Sequence, residues 1–151
     1  MPAFAVHGLV SPDALFTLCT RAVLPPWACL VLAPRWKWSA RLAAPMVLPP
    51  IFGVIYLYLA IAYFPQSKGS FGSLHGVSRF FQEPNPALAG WLHYLAFDLF
   101  IGAWMVRDAQ QQKIPHLAVV PCLVLTFLLG PIGLLLYLVL RAVKTRTLAI
   151  T

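Results

Sequence analysis

The chain has 151 residues, a single domain by length, and it is 60% hydrophobic against 10% charged, with a formal net charge of +7. A water-soluble fold of this size has nowhere to hide that much apolar surface, so the composition points to an integral membrane protein. The basic residues fall mostly in short stretches between apolar runs, which suits anionic headgroups and membrane orientation and speaks against a nucleic-acid partner.

The opening stretch, MPAFAVHGLVSPDALF, has no basic n-region and no A-x-A-like cleavage site, and it lacks the Arg- and Ser-rich look of a plastid transit peptide. The expectation is insertion through the first spanning helix into a bacterial cytoplasmic (inner) membrane. Four segments come near the 20 or so apolar residues that a crossing helix needs. The first covers about 14–33 and is opened by SPD, with Ser11 or Asp13 as cap. The second covers about 43–64, with IFGVIYLYLAIAYF as its core, the third about 87–106 and the fourth about 116–140. The runs are continuous and lack the alternation of a barrel strand. The predicted fold is therefore all-α: a four-helix integral membrane bundle forming one domain over 1–151.

The links after the first and third spans, PRWKWSAR and RDAQQQK, are short and basic. The link at 65–86 is longer. Within it, SLHGVSRFFQE puts Leu74, Val77, Phe80 and Phe81 on one side and His75, Ser78, Arg79 and Gln82 on the other. That pattern predicts a short amphipathic helix, lying on the membrane surface or packed against the loops. Four spans place both ends of the chain on one side with Lys68, Arg79, Arg141, Lys144 and Arg146. Arg35, Lys37, Arg41, Arg107 and Lys113 fall on the other, so the positive-inside rule does not choose. Pro25-Pro26, Pro49-Pro50, Pro121 and the GPIG at 130–133 predict kinks. Each frees a carbonyl that lipid cannot satisfy, and kinks in spans one and four would open a pocket between helices. Cys19, Cys29 and Cys122 all lie in apolar runs and read as small apolar side chains.

Arg21, His93 and Asp98 are ionisable residues well inside the spans, where such groups face the bundle interior, pair with one another or serve function. By helix rise, Arg21 and Asp98 differ in depth by roughly 6 Å, within the reach of an arginine. Tyr94, Asp98, Gly102 and Met105 share a face of the third span. His93 stands roughly 140° around from Asp98, so the two do not point at one small atom. They would flank an elongated ligand or bind different helices. An unpaired carboxyl at this depth keeps its proton, whereas pairing with Arg21 keeps it ionised. The outcome decides whether Asp98 is an acid, a base or a strut. No metal-ligand spacing, phosphate loop or dinucleotide fingerprint is present, and no cofactor is expected.

Five stretches carry a family resemblance: LVLAP at 30–34, GVSRFF at 76–81, ALAGWLHYLAFDLFIGAWMVRD at 87–108, KIPH at 113–116 and GPIGLLLYLVLR at 130–141. The chain resembles the abscisic-acid-deficient-four-like membrane proteins, a family associated with neoxanthin formation in plant plastids. The resemblance implies a four-span helical protein linked to carotenoid metabolism, with membrane lipid and a carotenoid as partners. The reaction associated with the family turns an epoxy-xanthophyll into an allenic one, an isomerisation without net redox. It needs an acid to open the epoxide and a base to take a proton from the polyene. Asp98 and His93, assisted by Tyr94 or Arg21, are the candidate catalytic residues for such a cofactor-free isomerase. The alternative is a non-catalytic carotenoid-binding or pigment-complex assembly protein, in which Arg21 and Asp98 form a structural pair.

Overall fold

A single long helix runs through the middle of the computed structural model, which describes residues 11–33 and 47–146. Every described element is helical or turn. Helix α1 (Pro12–Ala22) starts where SPD predicts. The Ser11 hydroxyl accepts the Ala14 N–H at 3.2 Å, and Pro12 occupies the first turn, where its missing N–H costs nothing. Val23 keeps a helical backbone into α2 (Leu24–Leu32), so Pro25 and Pro26 mark a junction rather than a stop. Helix α3 (Leu48–Tyr63) ends in a tighter turn over Phe64–Gln66. Ser73 caps α4 (Leu74–Phe81) by accepting the Gly76 N–H at 3.1 Å. The basic link at 34–41 and the start of the second predicted span at 43–46 lie outside the described residues.

Helix α5 (Pro84–Gln111) has 28 residues, so at about 1.5 Å per residue it is roughly 42 Å long. Leu88, Leu92, Leu95, Leu99, Gly102, Val106 and Ala109 recur at alternating spacings of four and three, and all are buried. That seam collects the other helices. The α1–α2 segment runs parallel to α5: the Trp91 indole donates to Thr20 Oγ1 at 2.9 Å, and Trp27 and Leu30 lie over Gly102. Helix α3 runs antiparallel, with Tyr56 beside His93 and Phe52 near Phe97 and Phe100. Helix α4 inserts Phe80 against Phe64, Phe71 and Phe81, while Leu74 and Phe81 stay exposed. The expected apolar side of α4 is thus only partly covered by the protein.

The fourth predicted span does not form one helix. The chain stops α6 (His116–Leu129) at Gly130 and restarts as α7 (Pro131–Thr145). Among the described residues three helical segments are long and apolar enough to cross a membrane, Pro12–Leu32, Leu48–Gln66 and Pro84–Gln111, and the four-helix expectation is corrected to that extent. The cause is local. Gly130 adopts φ +47°, which L side chains resist, and Pro131 supplies no N–H to continue the α6 ladder. The result is a reversal rather than the kink that GPIG suggests. Gly133 lies so close to Thr126 and the Cys122 carbonyl that a Cβ there would collide with α6 backbone. Helices α6 and α7 are therefore a tightly packed antiparallel hairpin.

This contact makes a testable demand. Gly133→Ala should lower stability by about 1–3 kcal/mol through overpacking against backbone. Gly53→Ala, at a position with nothing within 4 Å, should leave it unchanged. Thermal unfolding in detergent reads both, and an unshifted midpoint for Gly133→Ala would mean that the helices part freely.

Candidate functional site

The hairpin turn comes to rest against the middle of α5. Tyr94 and Asp98 stand one helical turn apart on the face that meets it. The Tyr94 hydroxyl donates to the Phe127 carbonyl at 3.1 Å, one of the carbonyls that the end of α6 leaves without a helical N–H. Asp98 lies against buried Gly130, where an added Cβ would sit 3.1 Å from Asp98 Oδ1. Asp98 Oδ2 is buried and has no hydrogen-bond partner. Gly130 thus serves twice: it takes a backbone conformation closed to most residues, and it leaves room for a carboxyl. The arrangement can hold a proton or orient one polar atom, and Tyr94 ties it to the turn.

His93 belongs to a different surface. It is exposed on the side of α5 that faces α3, its ring stacked on Phe97 at 4.4 Å and 6.0 Å from Tyr56. It lines two adjoining grooves. One, of about 540 Å³, is walled by Pro49, Phe52, Gly53, Phe97 and Phe100. The other, of about 420 Å³, is walled by Phe64, Phe71, Phe80, Gly90 and Trp91. Tyr56 and His93 are common to both. The angular separation of His93 and Asp98 read from the sequence is what the helix delivers, and Asp98 lines neither groove. Tyr94 touches both regions: its ring walls the second groove and its hydroxyl reaches the hairpin.

Arg21 does not come to Asp98. It is exposed on α1, next to the Thr20 that bonds Trp91. Trp91 precedes Asp98 by seven residues, roughly 10 Å along α5. An arginine so placed extends its head toward the nearer headgroups.

The ion pair lies elsewhere. Asp108 and Arg141 are 3% and 2% exposed, and Arg141 Nε donates to Asp108 Oδ2 at 2.8 Å. The Tyr137 hydroxyl donates to the same oxygen at 2.5 Å. The sequence pattern puts Asp108 in the short basic connection RDAQQQK, whereas in the fold it is a buried carboxylate. The available signal was Tyr137 and Arg141 four residues apart, one polar face on an otherwise apolar helix. His116, at the start of the fourth predicted span, also makes a tertiary contact. Its Nε2 lies 2.8 Å from the Val31 carbonyl and ties the end of α2 to the start of α6. Among the described residues no three His, Cys, Asp or Glu side chains gather as a metal cage would require.

These features define a helical protein with segments long and apolar enough to span a membrane, in which Tyr94 and Asp98, midway along α5, meet the turn of a broken hairpin. The model of the ABA DEFICIENT 4-like family matches residues 14–137, and the chain belongs to that family. It is 27% identical over 139 residues to Protein ABA DEFICIENT 4, chloroplastic, of Arabidopsis thaliana. The match covers 87% of this chain but 62% of that protein's length. No solved structure matches. The expected bacterial cytoplasmic membrane is corrected by this comparison: the named relative is a chloroplastic plant protein.

The buried pair allows a discriminating test. Arg141→Met should cost about 3–5 kcal/mol by removing the ion-pair partner of buried Asp108. Combining it with Asp108→Leu should restore most of that loss. Unfolding midpoints of the single and double variants in detergent provide the check.

Proposed function

We propose that the protein serves carotenoid metabolism from within a membrane, taking an elongated apolar substrate into the groove between α3 and α5. The observation that carries this reading is the run of two aromatic-walled grooves with His93 at their junction. A long polyene partitions into lipid, enters sideways between helices and packs on Phe and Tyr rings. A polar end-group lodged along such a wall meets one imidazole. The finer parts of the proposal are a four-segment membrane domain and an isomerase activity carried by intramembrane proton transfer.

In that activity His93 takes both proton-transfer roles in turn. Its imidazolium gives a proton to the epoxide oxygen as the C–O bond opens. The neutral ring then removes a proton from the adjoining polyene carbon, leaving an allene and the starting imidazolium. Electrons and protons balance with no cofactor. Asp98 acts at a distance from this chemistry, through Tyr94, as a positioning residue. Arg21 anchors α1 at the headgroups and stands outside the reaction.

A specific observation also favours plain binding: His93 and Asp98, the expected acid and base, stand on different faces of α5. The two readings part in one experiment, the pigment profile of a carotenoid-producing host expressing the wild type and variants at matched protein level. Gly53→Leu projects into the first groove from a position where an added Cβ meets nothing within 4 Å. It should abolish both pigment copurification and pigment conversion. His93→Ala should abolish conversion while pigment still copurifies. If the wild type retains pigment without altering the profile, binding is the function. If Gly53→Leu retains pigment as the wild type does, the groove is not the site.

A further inference from the structure

We propose that α6 and α7 form a re-entrant hairpin, which enters the bilayer and leaves it on one face, and that this is the positively charged face turned to the cytoplasm or its equivalent, against anionic lipid. The proposal takes the long helices as membrane spans and is independent of what occupies the groove. It rests on depth, surface chemistry and charge.

Depth comes first. Asp98 is half-way along α5, and the hairpin turn at Gly130 lies against it. The feet of the hairpin lie at the far end of α5. Ile114 N donates to the Ala109 carbonyl on the way into α6, and Arg141 and Tyr137 of α7 return to Asp108. Helix α6 has 14 residues, roughly 21 Å, against a hydrocarbon thickness of about 30 Å. It is too short to cross, and it ends against the middle of α5.

Surface chemistry agrees. The turn exposes Leu128 at 60%, Leu129 at 50% and Ile132 at 52%. From Leu117 to Leu140 the chain holds no charged residue. A tip in water would show the polar residues of an ordinary turn; this one shows what lipid accepts. Irregular backbone at that depth survives only where protein covers it, and Gly130 is buried on Asp98 while Tyr94 meets the Phe127 carbonyl.

Charge then assigns the face. With the hairpin re-entrant, α7 ends beside the close of α5, not opposite it. Arg107, Lys113, Arg141, Lys144 and Arg146 come to one end of the bundle. Lys68 and Arg79 stand at the other, with Arg21 on the half of α1–α2 nearer to them. Among the described residues the even balance of a four-span topology becomes a bias toward this end, and Lys and Arg near span ends orient membrane proteins.

Single cysteines test this in the full chain expressed in a bacterial host and probed with a membrane-impermeant maleimide. Gly72→Cys has open space around it, and Gln111→Cys and Arg146→Cys occupy exposed positions. The wild type, with Cys19, Cys29 and Cys122, supplies the background. The expected result is labelling of position 72 from outside intact cells, with 111 and 146 labelled only in inside-out vesicles. Labelling of 111 and 146 from opposite sides would overturn the re-entrant hairpin. Labelling of both from outside would overturn the assignment of the basic face. A reporter that fluoresces only in the cytoplasm, fused after Thr151, needs no substitution in the helices. Fluorescence supports the proposal; darkness at normal protein level rejects it.

Discussion

Hydrocarbon supplies no hydrogen bonds, so each N–H and C=O that a helix leaves open in the membrane must be met by the protein. That constraint governs the hairpin and, through it, the rest of the molecule. At Gly130 the α6 ladder ends with its last carbonyls unpaired, and Pro131 cannot extend it. The exposed side of the turn is purely apolar, so satisfaction has to come from α5. Tyr94 provides it for Phe127. The close approach that brings Tyr94 near also presses Gly130 onto Asp98. The carboxyl is therefore placed at a backbone break, the one point in the described helices where backbone polarity and a side-chain acid coincide at mid-depth.

Helical periodicity made the central part of this readable in advance. The alternating seam from Leu88 to Ala109 marks the buried face of α5, and the SPD signal locates the start of α1 within a residue or so. The five-residue step from His93 to Asp98 already separates them around the helix. What periodicity does not contain is tertiary partnership. Asp108 sits in RDAQQQK, a stretch as polar as any loop, and only the return of α7 shows that Arg141 covers it. The reversal at GPIG was hidden for a related reason. Gly-Pro is compatible with a kink and with a turn, and the choice depends on whether α6 can accept a neighbour at Gly133, which is a packing fact.

The two sides of α5 differ in kind. Toward α3 the surface is aromatic, open and continuous past His93, a shape for something long and apolar. Toward the hairpin it is closed, and its polar atoms meet protein or lie buried. A substrate in lipid has access to the first and not to the second. Loss of function on changing Asp98 is for that reason ambiguous taken alone: the residue bears on the turn, the turn on Tyr94, and Tyr94 on the groove wall. Changes at His93 or Gly53 act on the groove directly.

The polar contacts that hold the foot and the tip of the hairpin to α5 differ in strength. At the foot, Asp108, Arg141 and Tyr137 form a buried charge-assisted cluster whose disruption leaves a charge stranded. At the tip, one neutral hydrogen bond of 3.1 Å joins Tyr94 to the turn, worth about 1 kcal/mol net, and Asp98 Oδ2 contributes none. A hairpin clamped at its base and lightly held at its end yields at the end first. Because Tyr94 belongs to both the tip contact and the groove wall, any shift at the tip reaches the groove through that one side chain. The same geometry explains why the more expensive ion pair sits at the basic end, near headgroups and water, while the tip, surrounded by lipid, carries a single carboxyl and leaves most of its surface to leucine and isoleucine.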